Sequence, residues 1–373
     1  MSRTQAQQQD VLFLPFMQIP SGHHHVADAL RAELQLYKKE IAYDKVDILS
    51  YSYGPMEKLI TSLYLTSIKR LPNVYHWIYR FAAYQNRYGK RHYMYEVLFT
   101  YFFQRLLRTK DPRILFCTHC LPSYMASVLK QKGKLDAIVV NVYTDYFVNQ
   151  VWGLQYIDYH FVPSKLVKDF LISQGVEESR IFVTGIPIHP AFHDRLPTTT
   201  KANETITVLV TGGNLGIGSM ENLVKDTSGK VHYYVLCGKN EALYERLLKE
   251  QRDHVTPFSY ISSRQEMNQL YDQVDAVLTK PGGVTISECL WKKKPTFVYN
   301  PLPGQERINV EQLQKLGVIL PCEDRVEQQI LDFFADEDQQ NYVNEQLDRY
   351  HHDLENENLS TTLSTIMKEC IKH

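Results

Sequence analysis

Short apolar runs recur along the chain, each closed by a polar or glycine-bearing turn and followed by a stretch whose apolar residues return at helical spacing. Runs of this kind between turn signals read as strands buried on both faces, and the stretches between them as the helices that cover the sheet. In the first half the strands fall at Val11–Phe16, Ala42–Leu49, Ile114–Thr118, Ala137–Tyr143 and Tyr159–Val162, with helices over Val26–Lys39 and Lys165–Gln174. Val183–Pro190 closes that series. Asp194–Glu204, DRLPTTTKANE, is polar and rich in breakers, and reads as a linker. A second series follows, with strands at Thr205–Val210, Tyr233–Cys237, Val255–Tyr260, Asp275–Thr279 and Pro295–Tyr299, and helices near Asn240–Arg252, Gln265–Gln273 and from Val284 onward. Val326–Phe334 and Asp338–Lys372 are charged and amphipathic, as terminal helices are. The pattern predicts an α/β chain of two Rossmann-like domains, residues 11–190 and 205–345, joined by a linker at 191–204 and closed by helices over 346–373 that pack across both.

One segment breaks the rhythm. Residues 51–110 hold fifteen aromatics, as in Tyr75–Phe81 and Tyr93–Phe103, and ten Lys/Arg against Glu57 and Glu96. Their periodicity favours helices with one aromatic face, and two readings stand. One is an interfacial surface with rings at the acyl boundary and cations at anionic headgroups; the other is a tyrosine-rich core packed by arginine stems. Elsewhere the composition is that of an ordinary globular chain of 373 residues, with 44% hydrophobic residues, 22% charged residues and a net charge of −1, and it calls for no nucleic-acid partner. The first residues, MSRTQAQQQD, are polar and run straight into a strand, so neither a signal peptide nor a membrane anchor is expected. Six sparse cysteines suit reduced thiols in the cytoplasm. Cys117-Thr-His-Cys120 has metal-like spacing, but no second pair accompanies it and no metal site is expected.

Candidate chemistry concentrates in Thr279–Asn309, TKPGGVTISECLWKKKPTFVYNPLPGQERIN. Lys280-Pro-Gly-Gly283 links a buried strand to a helix start, which is a phosphate-binding geometry. Gly282 and Gly283 let an anion approach the backbone, and the first helical amides have no internal partners. Thr285 and Ser287 add hydroxyls near that end. Glu288, one helical turn after Thr285, projects toward a neighbouring diol such as a ribose. Asn300–Gly304 is a rigid loop that delivers Gln305, Glu306 and Asn309, the amide and carboxylate inventory that reads sugar hydroxyls. Thr211–Gly218, TGGNLGIG, follows another strand, but its glycines stand in the wrong order for a dinucleotide fingerprint, so no nicotinamide cofactor is expected.

KPGGVTISE followed by YNPLPGQERIN resembles the nucleotide-sugar half of the monogalactosyldiacylglycerol synthase and processive diacylglycerol glucosyltransferase family, related more distantly to the enzyme that adds N-acetylglucosamine to lipid I. NVYTDY, Trp152 and TGIPIHP follow the family's order in the first half. The resemblance implies a GT-B fold, two Rossmann-like domains facing across a cleft, with inverting transfer of a hexose from a UDP-sugar to a lipid such as diacylglycerol. No cofactor beyond the nucleotide-sugar substrate is implied. In this reading Lys280, Gly282, Gly283, Thr285 and the loop residues Gly212, Gly213 and Asn214 face the diphosphate, Glu288 the ribose, and Gln305, Glu306 and Asn309 the hexose. It also tilts residues 51–110 toward an anionic membrane, placing the protein peripherally on the cytoplasmic face of the cell membrane.

His23 is the leading base. A histidine at a strand-end glycine loop near a helix start is held neutral and accepts a proton at physiological pH. Gly22-His23 matches the family's glycine-histidine pair, although Pro20 stands where the family usually has a further glycine. Asp145 matches the family's Thr-Asp pair and either orients His23, acts as the base itself, or merely caps the next element. Asn149 replaces a family histidine four residues later. The rival functions are a nucleotide-sugar epimerase or hydrolase, transfer to a soluble acceptor, and non-catalytic nucleotide-sugar binding.

Overall fold

The structure, a computed structural model, describes residues 10–16, 22–38, 40–54, 91–193, 205–212, 227–302, 304–354 and 359–372. The chain divides into two compact units, Met1–Pro187 with Asp353–His373, and Ile188–His352. The expected linker at Asp194–Glu204, the aromatic run Tyr75–Phe81, Gly213 and Asn214 lie outside the described residues.

The first unit is built on β1 (Val11–Leu14), β2 (Tyr43–Lys45), β3 (Ile114–Cys117), β4 (Ile138–Val142), β5 (Tyr159–Val162) and β6 (Ile181–Val183). All pairs are parallel and the order is β2-β1-β3-β4-β5-β6. Helices on both faces explain why every residue of β1 and β3 is buried and why these strands read as unbroken apolar runs. The chain steps from β1 outward to β2 and then returns to β3 on the other side. A parallel sheet opens a crevice at the carboxyl ends of its strands where the order reverses in this way, here between β1 and β3. The described helices of this unit are α1 (Gly22–Tyr37), α2 (Ile48–Tyr53), α3 (Tyr93–Lys110), α4 (Cys120–Gln131) and α5 (Lys165–Ser173).

The second unit repeats the plan. Its strands β7 (Ile206–Thr211), β8 (Val231–Leu236), β9 (Val255–Phe258), β10 (Ala276–Thr279), β11 (Thr296–Tyr299) and β12 (Leu320–Cys322) run parallel in the order β12-β11-β10-β7-β8-β9, which puts its reversal between β7 and β10. Its described helices are α6 (Glu241–Glu250), α7 (Arg264–Gln273), α8 (Gly283–Trp291), α9 (Gln305–Leu316), α10 (Val326–Ala335) and α11 (Glu337–Asp353). The chain then returns to the first unit, where α12 (Leu359–Lys372) packs on α1.

The α/β class and the doubled strand-helix plan are as the apolar pattern predicts; several elements differ. The strand expected over Ala42–Leu49 stops at Lys45, because the Asp47 carboxylate accepts from the amides of Leu49 at 2.7 Å and Ser50 at 3.3 Å and so starts α2. The polar stretch after Gly304 is helical and not an extension of the loop: Gly304 takes φ 96°, a glycine conformation, and Ile308 and Leu313 then fall on the buried face of α9. The terminal helical stretch expected from Asp338 is divided between α11 and α12.

Candidate functional site

Three neighbouring strands of the first unit deliver side chains to one edge. His23 lies in the first turn of α1, after β1; Thr118 and His119 follow β3, and Thr144 and Asp145 follow β4. The His23 ring is pinned through Nδ1, which lies 2.7 Å from the Thr118 carbonyl oxygen and 3.0 Å from Thr144 Oγ1. The Thr118 hydroxyl in turn donates to the His23 carbonyl at 3.1 Å. A carbonyl oxygen only accepts, so Nδ1 carries the proton and Nε2 is left with its lone pair. Burial pushes His23 down to about 4, against the Thr118 carbonyl, which favours the charged ring, while His24 adds repulsion. The ring is therefore neutral throughout the physiological range. A group able to take a proton sits at the point where the sheet topology opens a crevice.

His119 is a member of this edge that sequence reasoning passed over. Its Nδ1 accepts the Leu121 amide at 3.2 Å and starts α4. Its ring stacks on Phe16 at 4.3 Å and meets His23 edge to face at 4.8 Å. Burial holds it well below the usual histidine range, with His23 adding repulsion. The flanking cysteines are inert: Cys117 is buried in β3, and burial pushes the Cys120 thiol up to about 12, with Asn149 bonding it in opposition and the Asp145 charge acting in the same upward direction. Asp145 thus lies at this edge beside Cys120. The Nδ1 atom of His23 is oriented by the Thr118 carbonyl and the Thr144 hydroxyl.

The second unit gathers the other expected residues at the carboxyl ends of β7, β10 and β11. Thr279 pairs with Thr211 on one side and Val298 on the other, so Gly212, the Lys280–Gly283 turn and the Asn300–Gly304 loop leave one edge side by side. The Lys280 carbonyl accepts from the Gly282 amide at 2.8 Å and from the Thr279 hydroxyl at 3.2 Å, which closes the turn. Ile286 N bonds the Gly282 carbonyl at 3.0 Å, and among the described residues no side chain caps the amides ahead of it. The amides of Gly283, Val284 and Thr285 thus form an uncapped helix start with the positive end of its dipole. Gly282 takes φ −76° and ψ 131°, open to any residue, and a Cβ built on it meets nothing within 4 Å. Neither backbone nor packing requires glycine there, and the bare position leaves the amides that follow it open to approach.

Glu288 sits deeper than a surface diol reader would. It is 8% exposed, and its Oε2 accepts the Tyr271 hydroxyl at 2.9 Å. Burial pushes the carboxyl up to about 7, while the Tyr271 hydroxyl and the Arg264 charge pull the other way. With the folded value above the ordinary 4.5, stability is whole below pH 4.5 and falls as pH rises through about 7; ionising Glu288 costs the fold about 3 kcal/mol. Gln305 and Glu306 open α9, where Glu306 Oε2 accepts the Leu302 amide at 2.6 Å. Asn309, expected to read a hexose, is 1% exposed and donates from Nδ2 to the Pro281 carbonyl at 3.1 Å. It braces the glycine turn from α9, because one further turn of helix carries it beneath the turn and away from the surface.

A family model described as monogalactosyldiacylglycerol (MGDG) synthase matches residues 23–188, a span that begins at His23 and contains Thr118, Thr144 and Asp145. The uncharacterized glycosyltransferase YkoN of Bacillus subtilis is 41% identical over 365 residues, which cover 96% of this chain and 97% of that protein. The chain belongs to the monogalactosyldiacylglycerol synthase family of glycosyltransferases. A processive diacylglycerol beta-glucosyltransferase of Bacillus cereus is 27% identical over 327 residues, 82% of this chain and 80% of that protein. Among solved structures, MurG of Acinetobacter baumannii superposes with a TM-score of 0.61 at 13% identity, over 96% of this chain and 99% of that one, a likeness of fold. The family's GT-B fold, with one parallel six-stranded sheet in each unit, is thus the architecture of this chain.

Proposed function

We propose that the protein transfers a hexose, with inversion, from a UDP-sugar to the hydroxyl of a lipid such as diacylglycerol at an anionic membrane surface. The observation that carries this reading is the tautomer lock on His23: Nδ1 is tied to Thr118 O at 2.7 Å, so Nε2 is an acceptor aimed at an alcohol proton. The acceptor oxygen attacks the anomeric carbon as its proton passes to Nε2, and the bond from that carbon to the diphosphate oxygen breaks on the opposite face. Charge growing on the leaving UDP is met by the amides of Gly283–Thr285, by Lys280 and by the loop that begins at Gly212. Thr118 O and Thr144 Oγ1 share the charge of the imidazolium at Nδ1, and the proton then leaves to solvent. Asp145 supports this edge electrostatically. Glu288 holds the ribose, and Gln305 and Glu306 hold the hexose. Relatives named for diacylglycerol glucosyl transfer support the donor and acceptor classes.

The membrane half of the reading rests on α3. Its inner face buries Phe99, Phe103, Leu106 and Leu107, yet Met94, Val97, Leu98 and Tyr101 lie exposed at helical spacing, with Val97 82% exposed. Arg105 and Arg108 continue that outer stripe. Glu96, the acid of this helix, is turned inward to Arg91 at 2.8 Å, Tyr124 at 3.0 Å and Lys132 at 3.3 Å. These partners, Arg91 first, hold its carboxyl down to about 2. An apolar stripe continued by arginine, with its acid withdrawn, suits an anionic bilayer. Among the described residues no helix is long and apolar enough to cross one. This reading places the contact peripherally, on the cytoplasmic face of the membrane.

Incubation with labelled UDP-glucose or UDP-galactose and anionic vesicles containing diacylglycerol is expected to move label into the lipid extract for one of the sugars. Val97→Asp with Tyr101→Asp should slow transfer on vesicles by roughly tenfold or more and leave it intact in detergent micelles. Label that stays water-soluble for both sugars contradicts the lipid acceptor. Equal rates on vesicles for variant and parent contradict the role of α3.

A further inference from the structure

Glu288 and Tyr271 form a polar pair enclosed by apolar groups. Tyr271, from α7, is 1% exposed; its ring meets Phe192 edge to face at 5.9 Å, and its hydroxyl reaches Glu288 Oε2 at 2.9 Å. The charged and titratable groups acting on the carboxyl are Tyr271 and Arg264 from α7 and Cys289 from its own helix. Burial of this depth favours a protonated carboxyl, and a protonated carboxyl is a poorer acceptor for a diol. A phenol that donates to one oxygen opposes that tendency, because it bonds more strongly to the ionised form.

We propose that Tyr271 is a positioning residue for the donor: its hydroxyl fixes the Glu288 carboxylate and keeps it ionised, so that Glu288 takes the two hydroxyls of a ribose and donor affinity is tied to the proton on this carboxyl. The inference rests on the reading of Glu288 as the ribose holder. Below neutral pH, donor binding then expels one proton from Glu288 to solvent; above it, none is released. Tyr271→Phe keeps the ring and its contact with Phe192 and removes the hydroxyl, with its bonds to Glu288 and Cys289.

The test is UDP binding by calorimetry between pH 5.5 and 9 for the parent, Tyr271→Phe and Glu288→Gln. Tyr271→Phe is expected to bind UDP roughly tenfold more weakly than the parent at pH 6.5 and to converge with it near pH 9, a shift of the acid limb by about one unit. Glu288→Gln is expected to bind weakly throughout, with only the slope contributed by the phosphate of UDP itself. If Tyr271→Phe weakens binding equally at every pH, or keeps the parent's profile while Glu288→Gln binds weakly, the positioning role is overturned and the ribose reading stands. If Glu288→Gln binds as tightly as the parent, the ribose reading falls and the inference with it.

Discussion

His23→Ala is expected to lower turnover by about two to four orders of magnitude while leaving UDP affinity within about twofold of the parent. The groups proposed to hold the donor sit on a different unit from His23, so nothing in the glycine turn changes with this substitution. Loss of the ring leaves the Thr118 carbonyl without one partner, which costs the fold about 1 kcal/mol and does not unfold it. Initial rates with the competent UDP-sugar and calorimetric titration with UDP read the two quantities separately. Unchanged turnover contradicts the assignment of the base and shifts it to Asp145, the acid beside Thr144 at the same strand edge. A parallel loss of UDP affinity contradicts the division of labour between the units.

Gly282→Val is expected to weaken UDP binding by about a hundredfold with no fall in melting temperature. Both halves follow from the same geometry. The position has φ −76° and ψ 131°, where a β-branched residue is comfortable, and open space where the side chain would go. Replacing glycine trims the freedom of the unfolded chain by about 0.4–1 kcal/mol, which offsets the poorer fit of valine at this helix N-cap and leaves stability close to the parent's. The same side chain keeps a diphosphate off the amides of Gly283, Val284 and Thr285, and losing one or two charge-assisted hydrogen bonds costs about 2–3 kcal/mol. Calorimetry with UDP and a thermal melt on one preparation check the pair. Retained affinity means the turn is not the phosphate cradle, and a lowered melting temperature means the fold itself needs this glycine.

The edge proposed to hold the donor was legible in its strand, glycine turn and helix because these lie in about thirty contiguous residues and can be read off in order. Even there the depth of each side chain was not. Asn309 looks like Gln305 on paper, and only the start of α9 at Gln305 separates a residue near the surface from one that braces Pro281. The His23 edge of the first unit was half legible. His23 shows as a strand-end histidine, but its partners Thr118 and Thr144 lie 95 and 121 residues away and meet it only through the β1-β3-β4 order of the sheet. Helix α4 hid behind Pro122, which is tolerated in a first turn yet reads as a breaker, and behind His119, an uncommon cap. Lys292, in a run of three lysines, has no surface signature to lose: it is buried against Asp272 at 2.9 Å. Periodicity reports which face is apolar and says little about a buried pair of opposite charges.

Proton NMR of one reaction reads both the acceptor and the stereochemistry of the proposed transfer to a lipid hydroxyl. With the competent UDP-hexose, diacylglycerol vesicles and the intact protein, UDP and a β-linked hexosyl lipid are expected to accumulate in equal amounts, with no free hexose and no epimerised donor. Loss of the UDP-sugar to an epimer, or to free hexose and UDP without a glycolipid signal, would contradict it.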